Sequence, residues 1–546
     1  LAPLAAALDL LFIRSVRSAD FWWHLAAGRW IAENGAIPRT DPFSFTAAGQ
    51  PWHYVSWPAE WLMYQVWQAG GAPGVIVLRL VCVFAVLTGI GLAVRRVGAR
   101  PEVTAALVIA TAVVVQPRYT LDRPKLLGAV LLVAVLLVAL RWWERGGWSI
   151  LAVPVITALW LPVHGAGVVG VACGVGALLS SGLFRRERSW LVPGAVAAVA
   201  CIALLGLTTS GRDIVEHVLL LGDAGRVTEF IQEWGPVSFA NPRHRLPLLL
   251  MGIGLVGAVM NLRRHPMVAG AALLGVYLGS QHVRGLTEGV LLVLPAAGLA
   301  LDALGRRLSV IGTGLLGRVV PSAIVVLAVL VHFAVSPRPL AGVVGWGTDN
   351  SRFPVDTLLV LRNLPEGRTM NNMDIGGYLI WNEVPGGVYV DGRILAVYTA
   401  QQFDELVVST LTSAEAMNEV AERWDIRYAL ASHVSVMSRL LMRSPEWVPM
   451  YHGTSTTLYA RRADAMELHR QGRPVFDVLR YDLDEAWMDA WYGDVLGDPQ
   501  RRGVLIELVA RGTRSTPRSP VALEVYRYLD GRHPDVARAV DAWEEE

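Results

Sequence analysis

Ionisable side chains in this chain gather at the ends of apolar runs, and one alternate set of those ends holds most of the chemistry. Asp20, His24, Asp41, His53 and Glu60 stand between the first two runs, Arg118, Arg123 and Lys125 follow the third, and His164 separates two more. Later connections supply Glu233, His282, Arg284 and Glu288. Cations at headgroup depth bind the phosphate or pyrophosphate of a lipid carrier, Arg bidentately. A carboxylate near them deprotonates an attacking hydroxyl, or holds a divalent cation against a leaving phosphate. Chemistry on a lipid phosphate needs both kinds of residue.

Each of these residues also has a plainer reading. Asp20 can cap a helix, His24 four residues on shares its face and can hydrogen-bond it, and Asp41 before Pro42 can start a turn. Arg123 and Lys125 can be interface anchors snorkelling from a helix end. His164 can bond between helices, although ionisable groups at membrane depth mark function. Glu233 can end a re-entrant helix. In the C-terminal part, GGYLIW (376–381) and VDGR (390–393) specify a turn and a strand end, with Asp391 and Arg393 able to pair locally.

The stretch 20–61 must position the first group. Trp23, Ala27, Trp30 and Ile31 fall on one helical stripe after Asp20, and Asn34-Gly35 supplies a stop. The tryptophans suit the headgroup layer, so this helix is expected to lie along the bilayer surface.

At 53% hydrophobic and 17% charged residues over 546 positions, with a mean hydropathy of +0.42, the chain lies outside the soluble range. It reads as a polytopic membrane protein with a soluble appendage. The opening run, residues 1–13, is short for about 30 Å of hydrocarbon and is expected to be the remainder of a longer span. Further runs at 75–94, 103–115, 126–140, 149–163, 165–183, 190–209, 246–262, 267–280, 286–301 and 319–335 bring the expected total to about eleven helices. Arginines at 95, 96 and 100, at 141 and 145, at 185, 186 and 188, at 263 and 264, and at 306, 307 and 318 mark alternate loops as cytoplasmic. The candidate residues above then share the external face. The net charge of +2, spread over membrane loops, gives no basic face, which excludes nucleic acid as a partner. Cys82, Cys173 and Cys201 sit inside apolar runs without metal-ligand spacing. Lys125 is the only lysine, and with abundant Ala, Gly and Val this points to a GC-rich bacterial genome.

Residues 336–350 are a Pro- and Gly-rich linker. Beyond it VYVD (388–391) and YALA (428–431) read as buried strands flanking a helical stretch from Ala400 to Trp424. WVPMYHG (447–453) and TTLYARR (456–462) form a closing hairpin. From Asp464 the chain turns acidic and helical. The expected domains are therefore 1–335 in the membrane, with a first external loop at 14–74, an α/β domain at 351–463, and a helical extension at 464–546.

DFWWHLAAGRWI, IPRTDPFSFT, PW (51–52), RP (123–124), LWLPVHG (159–165), IQEWGPVSF (231–239), QHVRG (281–285) and GGYLIWNEVPGGVYVDGR (376–393) are similar to segments of a subgroup of bacterial membrane proteins. With the order of acid, long external loop, many helices and C-terminal domain, the chain resembles the GT-C fold of polyprenyl-phosphate-dependent glycosyltransferases. The resemblance covers nearly the whole chain. It implies a polytopic α-helical membrane protein with a C-terminal extracytoplasmic α/β domain, placed in the bacterial cytoplasmic membrane. It also implies transfer of a sugar from a polyprenyl-phosphate donor to a lipid, glycan or protein acceptor. The family's first-loop acid falls on Asp20, as general base or metal ligand, with His24 beside it and Asp41 as candidate second acid. Donor phosphate would rest on Arg118, Arg123, Lys125, His164, His282 and Arg284, with His53, Glu60 and Glu233 supporting or meeting the acceptor. A divalent cation, Mg or Mn, would be held by Asp20 and Asp41. Family members often pair acids in this loop, whereas here Phe21 follows Asp20. The competing expectation is a non-enzymatic membrane protein: a lipid-glycan flippase or transporter, which would show inverted halves, or a scaffold.

Overall fold

In hydrocarbon an apolar run must satisfy its own backbone, which only a helix does within one segment. The long runs of this chain are helices in the computed structural model. The structure describes residues 1–222, 231–311, 314–336, 340–433, 435–470, 489, 492–493, 495–514 and 520–544. The chain divides into two compact units. One comprises Leu1–Ser18, Ala27–Ile37 and His53–Thr348, and the other Ala19–Ala26, Pro38–Trp52 and Asp349–Glu546.

The first unit is the membrane bundle. Among the described residues, 7 helices are long and apolar enough to span: Trp57–Arg96, Lys125–Arg145, Gly165–Arg185, Arg188–Leu207, Pro242–Asn261, Val283–Val310 and Gly314–Val335. The runs near 103–115 and 267–280 form the helices Pro101–Tyr119 and Pro266–Gln281, and shorter apolar helices cover Ala2–Phe12 and Gly147–Trp160. The protein is thus a multi-pass membrane protein. Val283–Val310 is its centre, 89% buried across its most apolar window, against 22% for Gly314–Val335. Small residues let its neighbours approach: a Cβ on Gly257 would lie 1.9 Å from Ala296 O, and one on Gly254 2.6 Å from Val293 Cβ.

Arg79, the charge the sequence leaves inside a span, is 1% exposed. Its Nε donates to Asp122 Oδ1 at 2.7 Å, and its Nη1 donates to the carbonyls of Phe12 (2.8 Å) and Arg14 (2.7 Å). A buried charge is stable only when paired and hydrogen-bonded in this way. Gln116 binds both backbone groups of Ala341, at 2.9 and 2.8 Å, and so ties the chain beyond the last span to the bundle.

The second unit contains a four-stranded mixed sheet, β1 (Arg368–Asn371), β2 (Ile426–Ser432), β3 (Trp447–His452) and β4 (Thr456–Arg461), in the order β1-β2-β4-β3. The hairpin and the YALA strand stand where the sequence places them. β1, parallel to β2, has no alternation in RTMN by which to find it. VYVD is not a strand: only Val388 makes isolated bridges, to Ser44 and Thr369, because the flanking Gly386 and Gly387, both at φ +80°, and the turn at Asp391–Arg393 hold it to a short extended crossing. The stretch after Ala400 is helical but interrupted, as helices Ala400–Phe403 and Ala414–Arg423 with a π-helical turn Asp404–Ser409 between them. Thr399 starts it with a full capping box. Of the acidic extension, residues 471–488, 490–491, 494, 515–519 and 545–546 lie outside the described residues.

The first-loop helix runs Ala19–Asn34 and stops at Gly35 in the left-handed conformation, as its sequence requires. Two expectations change. Its N-cap is Ser18, so Asp20 sits in the first turn rather than at the cap. Its first half is also enclosed on every side, residues 21–28 being all buried, where the sequence leads one to expect a single apolar stripe. The stripe of Trp23, Ala27 and Ile31 is only one apolar face; Phe21, Trp22 and Leu25 make the first turns apolar on the others as well.

Candidate functional site

In the bundle unit, four cations from two connections meet two carboxylates among the described residues. Arg118 stands in the last turn of Pro101–Tyr119, Arg123 in the following turn, and Lys125 opens the next helix. Asp122 between them takes φ +50°, a left-handed kink that its ion pair with Arg79 holds in place. Arg118 and Arg123 converge on Glu233 Oε1, Arg123 Nη1 at 3.2 Å. Arg123 Nε also donates to Ser18 Oγ at 3.4 Å. Lys125 Nζ lies 3.0 Å from Glu288 Oε2 and donates to Arg284 O at 2.8 Å. Arg284 lays its guanidinium over the Trp234 ring, 5.4 Å from the centroid.

His282 hydrogen-bonds Trp234 O through Nδ1 at 2.9 Å and meets the indole edge-on, so the 310 turn Gln232–Trp234 is pinned to the His282 connection. His164 accepts from Ala166 N at 3.1 Å through Nδ1 and caps the next turn. Burial alone would raise the Glu233 carboxyl; Arg123, Arg118, Arg284 and Lys125 together outweigh it and hold it down at about 2. All four cations therefore share one field at Glu233. Their side chains are partly accessible, 23% for Arg118, 27% for Arg123 and 14% for Lys125. An anion bearing one or two charges can displace the carboxylates without stripping a fully buried pair.

The remaining bundle candidates lie elsewhere in this unit. Glu60 is 0% exposed and accepts from Ser56 Oγ at 2.6 Å and from the Tyr54 hydroxyl, which gives it a supporting place at a helix start. His53 Nδ1 lies 3.2 Å from Glu216 Oε2. Its imidazole, Asp213 and Glu216 each offer a ligand atom, all within 4.8 Å of one another, the one such group of three among the described residues. One imidazole and two carboxylates suit a divalent cation of the manganese kind.

Asp20, His24 and Asp41 belong to the other unit. Asp20 is pressed by backbone: a Cβ on Gly392 would lie 2.2 Å from its Oδ1 and 3.3 Å from Trp23 Nε1. The glycine of VDGR is there to let the chain pass that carboxylate. His24 is 6% exposed, its ring against Trp23 at 3.6 Å between centroids. Asp41 lies in an enclosed ion network. Its Oδ1 accepts from Phe43 N at 2.9 Å and from Arg393 Nη1, and its Oδ2 accepts from Ser44 N at 3.1 Å and from the Ser44 hydroxyl. Arg393 in turn holds Asp391 bidentately, Nε to Oδ1 at 2.8 Å and Nη2 to Oδ2 at 2.7 Å, between the Phe43 and Trp52 rings. Both oxygens of Asp41 are thereby occupied, a poor fit to a metal ligand.

Sequence reasoning passed over Trp234 as a platform for Arg284, and over Asp213. The DxxE spacing of 213–216 on a helix carried a signal for the latter, but its partner His53 is remote in the chain.

No protein-family model matches this sequence, and no curated protein matches it. Among solved structures the chain is similar to the Archaeoglobus fulgidus oligosaccharyltransferase tethered with an acceptor peptide containing the NVT sequon. The identity is 12% over 84% of this chain and 73% of that one, with a TM-score of 0.54. ArnT from Cupriavidus metallidurans is similar at 13% identity, 84% and 96% coverage and a TM-score of 0.43. The mycobacterial arabinofuranosyltransferase AftD is similar at 14% identity, with coverage of 84% and 41% and a TM-score of 0.45. The first of these likenesses shows the fold: this chain has the GT-C fold of membrane glycosyltransferases.

Proposed function

We propose that this chain is an integral membrane glycosyltransferase that takes a sugar from a polyprenyl-phosphate donor and passes it to a lipid, glycan or protein acceptor on the external face of a bacterial cytoplasmic membrane. The observation that carries the reading is the gathering of Arg118, Arg123, Lys125 and Arg284 with Glu233 and Glu288 among the described residues, in a chain of GT-C fold. In this reading Arg118 and Arg123 turn from Glu233 to the donor phosphate, and Lys125 and Arg284 complete its neutralisation. His164 and His282 hold the connections that carry these cations. The family resemblance assigns to Asp20, a residue of the other unit, the proton of the acceptor group as that group attacks the anomeric carbon. The bond from carbon to phosphate oxygen breaks, and the lipid phosphate leaves with its charge on the cations. His53, Asp213 and Glu216, rather than Asp41, would hold a divalent cation, which would supply a local positive charge where it is bound. Asp41 is assigned to the folding of its own unit.

The test is sugar transfer in membranes from cells making the full chain, supplied with radiolabelled polyprenyl-phosphate sugars, for wild type, Arg123→Gln and Asp20→Asn at matched folded protein. Loss in both variants supports the assignment. Unchanged transfer in Asp20→Asn removes that residue from the chemistry. No transfer by wild type across several donors and acceptors moves the weight to a flippase or scaffold.

A further inference from the structure

A second basic site lies at the far end of two of these helices. The helices Trp57–Arg96 and Lys125–Arg145 touch where Gly89 meets Val133, since a Cβ on that glycine would come within 2.4 Å of Val133 Cγ1. Beyond this contact the larger Leu92 and Leu137 follow, and a cavity of about 480 Å³ opens, lined by Leu92, Arg95, Arg96, Leu137, Val138 and Arg141. Arg141 is 16 positions beyond Lys125 on one helix, about 24 Å along its axis, so this is not the cation cluster described above.

The cavity has two chemistries in sequence order. Leu92, 48% exposed, forms an apolar wall with Leu137 and Val138 on the side of the arginines towards the middle of two apolar helices long enough to span a membrane. The rim carries three guanidinium groups. Arg96 is engaged by Glu144, Nε lying 3.0 Å from each carboxylate oxygen, and Arg95 donates to Ala99 O. Arg141 is exposed and makes no hydrogen bond or ion pair among the described residues. Three cations against one carboxylate leave charge for an anion. The apolar wall immediately beneath asks for a chain attached to that anion.

We propose that this cavity binds one anionic glycerophospholipid, its phosphate on Arg95, Arg96 and Arg141 and an acyl chain along Leu92, Leu137 and Val138. Basic pockets between spanning helices take such headgroups, and each Arg near the surface contributes about five-fold in affinity. A free phosphate would use only the rim, and a zwitterionic lipid would bring its own cation against the arginines.

The experiment uses the full chain, delipidated in a neutral detergent and titrated with dioleoyl-phosphatidylglycerol, dioleoyl-phosphatidylcholine or inorganic phosphate. Retention is read by native mass spectrometry, and stability by thermal unfolding. One phosphatidylglycerol retained per chain, with a rise in melting temperature that phosphatidylcholine and phosphate do not produce, is the expected result. Arg95→Gln with Arg141→Gln should weaken retention about 25-fold, while Arg188→Gln, an exposed arginine outside the cavity, should not. Should the double variant fold poorly, Val138→Trp fills the apolar wall with every arginine kept, and it too should lose the lipid. Equal retention of phosphatidylcholine, stabilisation by phosphate alone, or undiminished binding in the folded variants would each overturn the proposal.

Discussion

Asp41 offers the sharpest separation between a catalytic and an architectural carboxylate. Its partner Arg393 is 3% exposed, and the side chains of Asp41, Arg393 and Asp391 are all closed to solvent at 0%. Asp41→Asn keeps the shape but removes one of the two negative charges on Arg393 and sets an amide N–H₂ against the Ser44 N–H, where Oδ2 accepted. Breaking a buried pair by removing one partner costs about 3–5 kcal/mol. Here Asp391 still neutralises Arg393, which places the cost near 3. In a unit of about two hundred residues, each kcal/mol moves the melting temperature by about 2–4 °C, so the shift should be about 6–12 °C. Arg393→Met should do more damage, because it leaves Asp41 and Asp391 buried without a cation. Tyr398→Phe, which deletes one 3.0 Å hydrogen bond to Asp391, should cost only about 1 kcal/mol. The assay is thermal unfolding of the purified full chain, run beside sugar transfer below the lower midpoint. A ranking of Arg393→Met, then Asp41→Asn, then Tyr398→Phe, with transfer kept while the protein is folded, fits the architectural role. Unaltered melting with abolished transfer in Asp41→Asn would refute the reasoning and return Asp41 to the chemistry.

Three more outcomes follow from particular contacts. Gly392→Ala puts a methyl 2.2 Å from Asp20 Oδ1; transfer should fall at least ten-fold with a melting shift smaller than that of Arg393→Met, as kinetics and scanning fluorimetry on one preparation would show. Glu233 is held at about 2, below its ordinary 4.5, by burial outweighed by Arg123, Arg118, Arg284 and Lys125. Its contribution to stability is full above about pH 4.5 and is lost as pH falls towards 2. The melting difference between wild type and Glu233→Gln should therefore shrink across that window. His452, 2% exposed and stacked on His433 at 4.1 Å, is held well below its ordinary 6.5 by burial and by His433. A histidine kept neutral in the fold contributes stability above pH 6.5 that drains below it, at up to about 1.4 kcal/mol per pH unit. Unfolding of wild type between pH 6.5 and 5 should show that slope, and His452→Asn should flatten it.

The membrane fold was legible because it is written in one dimension. Apolar length, arginine alternation and the Asn34-Gly35 stop are local properties, and hydrocarbon leaves the backbone no answer but the helix. The hairpin of β3 and β4 was readable for the same reason, since its strands are neighbours in the chain. β1 was not, because four residues without alternation become a strand only when β2 lies beside them. VYVD carried strand propensity, yet the geometry of its glycines and the demands of Asp391 and Arg393 cut it short.

For the candidate site, residue types alone marked Arg118, Arg123, Lys125, Glu233 and Arg284 as cations and acid at helix ends. That Arg118 and Arg123 close on one oxygen of Glu233, that Lys125 takes Glu288, and that Arg284 lies on Trp234 are decisions of the folded bundle. The same holds for Asp41, which in sequence is a first-loop acid like Asp20. Only the approach of Arg393, 352 positions away, makes it part of a buried ion network. Spacing along a chain fixes which side chains share a helix face; ion pairs are set by distances across it, and those exist only once the segments have packed.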